Sequence, residues 1–165
     1  MTARGPVPVL LLLLSAAAAS ACASPPLPDA PPGDFRVTAR VRGWPDPPCD
    51  FDLDLRAGGA IDYVVRFGGN PPGYRRGREA VAPEGLARVW EVVLGGGFFD
   101  LSDVVPAEGA LVPGGFSIRV SGAGRRREVD SDRAPRPAVE ALLAALRGLV
   151  PDRAWRRPGA TAPPR

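Results

Sequence analysis

"CDFDLDLRAGGAIDYVVRF", residues 49–67, holds two alternating runs around a glycine pair. Phe51, Leu53 and Leu55 alternate with Asp50, Asp52 and Asp54, and Ile61, Tyr63, Val65 and Phe67 alternate with Asp62, Val64 and Arg66. A period of two marks a strand with one buried face, so the stretch reads as a β-hairpin. Its loop length fixes which side chains share a face. A two-residue loop at Gly58-Gly59 pairs Leu55 with Asp62 and mixes the faces, because a slip of one residue turns every side chain over. A three-residue loop of residues 58–60 pairs Leu55 with Tyr63 and Leu53 with Val65, and sets Arg56 opposite Asp62 and Asp52 opposite Arg66. A loop of residues 57–59 keeps the faces but sets Asp54 against Asp62. Like charges directly opposite are destabilising, so the 58–60 register is expected.

Upstream, "DFRVTARVR" (34–42) obeys the same rule, with Phe35, Val37, Ala39 and Val41 on one side and Arg36, Thr38, Arg40 and Arg42 on the other. If it neighbours the aspartate strand, cross-strand ion pairs account for both polar stripes. Calcium binding by Asp50, Asp52 and Asp54 is the competing reading, but carboxylates alternating on a strand lie roughly 6–7 Å apart, too far to share one ion without loop ligands.

Downstream, "NPPGYRRGRE" (70–79) reads as a Pro/Gly-rich solvated loop; Tyr74 among Arg75, Arg76 and Arg78 would also suit an anion. Pro83 and Glu84 then open a helix whose Leu86, Val89, Trp90, Val93 and Leu94 form one apolar stripe. Gly95-Gly96-Gly97 ends it and lacks the pattern of a phosphate-binding loop. "FFDL" (98–101) returns apolar side chains to the sheet, and a long loop (102–114) leads to the strand "FSIRV". "RRREVD" (125–130) reads as a charged edge strand, with an anion patch at Arg125–Arg127 as the alternative. "RPAVEALLAALRGLV" is a second helix, with Val139, Leu142, Leu143, Leu146 and Val150 on one face. The expected fold class is α+β: an antiparallel sheet of four to five strands with two helices packed on one face, in the order β-β-β-α-β-β-α.

The 21 basic residues are all arginine, and histidine is absent. Histidine-based triads, Cys-His catalysis and histidine zinc sites are thereby excluded. A net charge of +3 is a poor basis for nucleic-acid binding, so no nucleic-acid partner is expected. Arg4 gives a short positive start, followed by a run from Val7 to Ala19 that is apolar or small except for Pro8 and Ser15, and by the small residues Ala19-Ser20-Ala21. That is the layout of a secretory signal, too short for a spanning helix of roughly 20 apolar residues.

Ala19-Ser20-Ala21-Cys22 resembles the bacterial lipobox, with Ala19 where leucine is typical. The resemblance implies acylation of Cys22, export, and a lipid-anchored envelope location, on the outer membrane or the periplasmic face where two membranes exist. The bland alternative is an ordinary cleavage site that precedes a cysteine. The expected organisation is signal peptide 1–21, Pro-rich tether 22–33, one α+β domain 34–152 and a disordered tail 153–165. Such a tether, at about 3.1 Å per residue, spans roughly 30 Å. With Cys22 acylated, Cys49 is a lone thiol without a base; without acylation, a disulfide between Cys22 and Cys49 is open.

Over residues 50–150, "RAGGAIDY", "FFDL", "GFSIRV…RRREVD" and "RPAVEALLAAL" together resemble two related groups of small bacterial domains. One is emfourin, the proteinaceous inhibitor of thermolysin-like metalloproteases. The other is an exported domain family with a Cys-Pro-x-Tyr strand before an Asp-Gly hairpin, whose paired cysteine motif is represented here by Cys49 alone. The resemblance implies a non-catalytic, protein-binding domain with a protease as partner; no inhibitory residue carries over to a position of this chain. A structural envelope lipoprotein touching cell-wall polymer through Arg-rich loops is the first alternative. The second is a hydrolase, for which Glu84, Glu91, Asp100, Asp103 and Glu108 qualify by residue type alone. No catalytic, metal or cofactor residue set is identified, and Cys22 is the single modification site.

Overall fold

A computed structural model describes residues 26–45, 47–101, 114–130 and 136–159. Six strands form one antiparallel sheet: β1 (Arg36–Pro45), β2 (Pro48–Arg56), β3 (Ala60–Phe67), β4 (Gly73–Ala80), β5 (Phe116–Gly122) and β6 (Arg125–Asp130). Helix α1 (Pro83–Gly95) follows β4, and α2 (Arg136–Arg147) follows β6. The strands lie in the order β4-β3-β2-β1-β5-β6. The α+β class and the two helices agree with the sequence patterns. The strand count does not: four to five were expected and six are present.

The additional strand is β4, within the stretch read as a loop. Its residues carry no apolar alternation, so periodicity has nothing to register. It is held as an edge by backbone pairing to β3, from Ala60 opposite Ala80 to Phe67 opposite Gly73. Gly77 is what lets it lie there. A Cβ on Gly77 would collide with the Tyr63 phenol ring, which crosses β4 at that point.

The hairpin register also differs from the expected one. Leu55 faces Ile61, Asp54 faces Asp62 and Leu53 faces Tyr63, so residues 57–59 form the loop. Gly59 has φ +71°, the left-handed conformation that closes a three-residue hairpin. Its carbonyl accepts from Val81 N–H at 2.7 Å, which ties the loop to the chain leaving β4. The like-charge pair that argued against this register is offset by arginines, described below.

The core lies between the sheet and the helices. Phe35, Val37, Ala39 and Val41 of the first strand region, Phe51, Leu53 and Leu55 of β2, and Ile118 and Val120 of β5 are buried on one side. Val89, Trp90 and Val93 of α1 and Val139, Leu142, Leu143 and Leu146 of α2 cover them. Each fully buried aliphatic side chain contributes about 2 kcal/mol. Phe98 is buried, while Phe99 and Leu101 pack at the margin. Helix α1 ends as the three glycines dictate: Gly97 N–H bonds to Leu94 O and Phe98 N–H to Val93 O.

Contacts reach beyond residues 34 and 152 on both sides. Leu27 packs on the core, and Trp90 Nε1 donates to Pro28 O at 2.9 Å. Phe35 N–H bonds to Pro32 O, and the Phe35 and Trp90 rings meet edge to face at 5.0 Å. Leu27, Pro28 and Pro32, within the stretch read as a tether, therefore contact the domain. At the other end Asp152–Trp155 forms a 3-10 turn, with Ala154 buried and the Trp155 ring against Phe51 at 5.3 Å.

Substituting Gly77→Val should lower unfolding free energy by about 1–3 kcal/mol through overpacking. Urea denaturation of this variant and of the Tyr63→Leu, Gly77→Val double variant checks it. The double variant should regain much of the loss; a fully stable single variant would show that Tyr63 does not lie across β4.

Candidate functional site

The helices cover one side of the sheet. Among the described residues the other side is open, and it carries the residues of opposite parity: Arg36, Thr38, Arg40 and Arg42 on β1, Asp50, Asp52 and Asp54 on β2, Asp62, Val64 and Arg66 on β3. Tyr74, Arg76 and Arg78 on β4, Ser117, Arg119 and Ser121 on β5, and Arg126, Glu128 and Asp130 on β6 share that parity. A shallow hollow of 1120 Å³ spreads over this face.

Its ion pairs follow the register. Asp54 and Asp62 face each other across β2 and β3. Arg36 grips Asp54 with two parallel bonds, Nε to Oδ1 at 2.7 Å and Nη2 to Oδ2 at 3.0 Å. Arg78 grips Asp62 likewise, at 2.6 and 2.9 Å. Arg56 Nη2 stands between the two carboxylates, 2.8 Å from Asp54 Oδ2 and 3.1 Å from Asp62 Oδ2. The chain Arg36-Asp54-Arg56-Asp62-Arg78 thus crosses four strands. Asp52 is shared by Arg42 at 2.9 Å and Arg66 at 2.7 Å. The expectation that the arginine and aspartate stripes pair across β1 and β2 is met by Arg36 and Arg42 but not by Arg40; all three strand aspartates are engaged, and Asp50 Oδ1 accepts from Gly43 N–H at 2.7 Å. Beyond β1 a separate pair joins β5 and β6, Arg119 Nη2 to Glu128 Oε2 at 2.6 Å, with Ser117 Oγ donating to Glu128 Oε1.

Partial burial pushes the Asp52 and Asp54 carboxyls up, but hydrogen bonds and charge from their two arginines each outweigh it, so both titrate below the ordinary value. The bond from Arg78 leads in lowering Asp62, and that from Arg119 in lowering Glu128. At one end of the sheet Asp34 accepts from Gly124 N–H and Ala123 N–H, at 2.9 and 2.8 Å, and these bonds lower its pKa.

Three arginines of this face, Arg40, Arg76 and Arg126, have no ion pair among the described residues. Sequence patterns assigned Arg76 to a loop, Arg126 to an edge and Arg40 to a stripe. No pattern in the chain says that these three share one surface, because β4, β1 and β6 are brought together only by the sheet order.

The other sequence candidates do not converge. Cys22 lies outside the described residues, as do Asp103 and Glu108. Glu84, Glu91 and Asp100 are exposed along α1 and the turn after it, away from the open face. Cys49 is a free thiol, 5% exposed, and burial pushes its pKa up despite the nearby Arg147 charge, the reverse of an activated nucleophile. It sits beside an aromatic cluster in which the Arg147 guanidinium lies 4.8 Å from the Trp44 ring and 4.7 Å from the Trp155 ring. Tyr74 is 64% exposed on the edge strand, and Arg75 Nε donates to Arg156 O. Arg125 stands 3.8 Å from Asp100, on the helix side of the edge.

No protein-family model matches the chain, and no curated protein is significantly similar to it.

An Asp54→Asn variant should unfold about 1 kcal/mol more easily than the parent at pH 7. Because the folded carboxyl titrates below the unfolded value of about 3.9, its contribution is complete above that value. It fades as pH falls through the lower folded value. Urea unfolding should therefore give a gap that narrows from pH 7 to pH 3; a constant gap would mean that charge at Asp54 does not matter.

Proposed function

We propose that this chain is an exported, lipid-anchored envelope protein whose domain is a non-catalytic binding module for a protein partner. Two features support the reading. The leader ends in Ala19-Ser20-Ala21-Cys22, which suits removal of the first 21 residues and acylation of Cys22. Among the described residues, a six-stranded sheet leaves one face free of helices and charged, a surface suited to another molecule. That open face is the single observation carrying the binding role.

Docking of Leu27 and Pro28 onto α1 affects where the domain sits. Leu27 is five positions after Cys22, and five fully extended steps span at most about 18 Å. A lipid-anchored form would hold the domain close to the bilayer surface, so the partner would be a membrane-proximal one.

Inhibition of a thermolysin-like metalloprotease is the sharpest form of this role, supported by the resemblance to emfourin in the glycine hairpin, "FFDL", the strand pair and the final helix. Adding the domain to such a protease should slow peptide hydrolysis. Unchanged hydrolysis at high micromolar domain would remove that form and leave the binding role standing.

The broader reading is tested in the native envelope. Photo-crosslinking side chains at Val64 and Ser121 on the open face should give discrete protein adducts, whereas one at Glu91 on α1 should not. Adducts from Glu91 alone would place the binding surface on the helix layer. Intact mass of the membrane-bound protein should show a chain that starts at Cys22 with lipid added, and Cys22→Ser should release it; equal membrane retention of that variant contradicts the anchor.

A further inference from the structure

Resting on the open face as the docking side, we infer that it accepts an extended acidic polypeptide segment of the partner, laid along the seam between β1 and β5. Outward residues of β1 are Arg36, Thr38, Arg40 and Arg42, and those of β5 are Ser117, Arg119 and Ser121. None is acidic. Two adjacent central strands thus carry no carboxylate of their own down the middle of the sheet; Arg36, Arg42 and Arg119 are held by Asp54, Asp52 and Glu128, and Arg40 stands between them without an ion pair among the described residues. Acidic residues lie to either side, Asp50, Asp52 and Asp54 on β2 and Glu128 and Asp130 on β6; the first four have donors from this chain, and Asp130 stands across Ser117 in the row of Arg40, two strands away.

The ion-pair network breaks at this seam. One set of pairs runs from β1 to β4, the other joins β5 to β6, and none crosses from β1 to β5. Arg40 lies in the gap, opposite Ser117 on β5 and Asp52 on β2. Asp52 is taken by Arg42 and Arg66, so the Arg40 guanidinium keeps its donors for a ligand. Arg126, next to Ser121, also makes no ion pair among the described residues and lines the same hollow, though its charge acts on Glu128 two residues on.

Geometry favours polypeptide over other anions. Arg40 and Arg126 are two strands and two residue pairs apart, about 17 Å between backbones, too far to close on one small anion. Along β1 the outward side chains repeat every 6–7 Å or so, which is also the repeat of alternate side chains in an extended peptide. Acids at alternate positions of such a segment would keep step with Arg36, Thr38, Arg40 and Arg42. A uniform polyanion broad enough to cover the face would meet the flanking carboxylates, whereas a single extended strand follows the acid-free band between them.

Fluorescence polarisation with a labelled (Glu-Ser)6 peptide, its (Gln-Ser)6 counterpart and inorganic polyphosphate tests this on the intact domain. The glutamate peptide should bind with strong salt dependence and the glutamine peptide should not. Arg40→Ser should weaken binding about tenfold or more, and Arg126→Ser by less. Arg88→Ser, on α1, should leave it unchanged. Arg40 makes no ion pair among the described residues, so its variant should keep the parent's unfolding midpoint, which is measured alongside. Equal binding of the two peptides, no binding of either, or glutamate-peptide binding indifferent to Arg40→Ser would overturn the assignment. Arg40-dependent capture of polyphosphate in preference to the peptide would also overturn it, while leaving the open face as a binding surface. Crosslinks from Glu91 alone, by contrast, would remove the open face itself.

Discussion

Asp54 and Asp62 face one another across β2 and β3, and the Arg56 guanidinium stands between them. Two carboxylates in that position repel unless a cation is shared. Here three arginines from three strands supply it, Arg36 and Arg78 from the flanks and Arg56 from the centre. The register that results fixes everything on the open side. It sets Val64 opposite both Asp52 and Arg76, and Asp62 opposite Arg78. A shift by two residues would keep the core faces intact and yet rearrange every charge on the exposed side. The apolar core therefore settles which face is buried, and the arginine-aspartate chain settles how the strands slide.

That division explains what was legible in the sequence. Alternation in residues 35–41, 51–55 and 61–67 identified β1, β2 and β3 and their buried side, because burial imposes a period of two. Helix stripes and glycine stops placed α1 and α2 for the analogous reason. The register was missed because pairwise opposition was weighed without the third partner: Arg56 lies diagonal to Asp62, and its long side chain reaches both acids. β4 was missed because an edge strand buries little and so carries no apolar signature. Its determinant is a glycine beneath a tyrosine ring, and the contact exists only once Tyr63 has been placed.

The segments at either end of the domain follow a related logic. Prolines in residues 25–32 do exclude helix and central strand, yet they do not exclude docking. Trp90 needs an acceptor for its indole N–H once it is buried, and Pro28 supplies a carbonyl that requires no strand. At the far end Trp155 covers Phe51 and shares Arg147 with Trp44. Sequence composition reported only that these stretches lack periodic structure.

The acid-free band is a property of strand order and could not be reached from any one strand. β1 taken with β2 is a self-compensating pair, since arginines on one strand meet aspartates on the next. What leaves β1 with donors to spare is its other neighbour. β5 enters the sheet after α1 and pairs with β1 in antiparallel fashion, bringing Ser117, Arg119 and Ser121 to a side where an acid would have closed the network. Arg119 turns outward to Glu128 on β6, so its charge is spent away from the seam. β5 holds β6, with Glu128 and Asp130, one strand away from β1. The open donor band follows from the crossover that inserts β5 between them, and the same crossover carries α1 to the opposite face, where it seals the core.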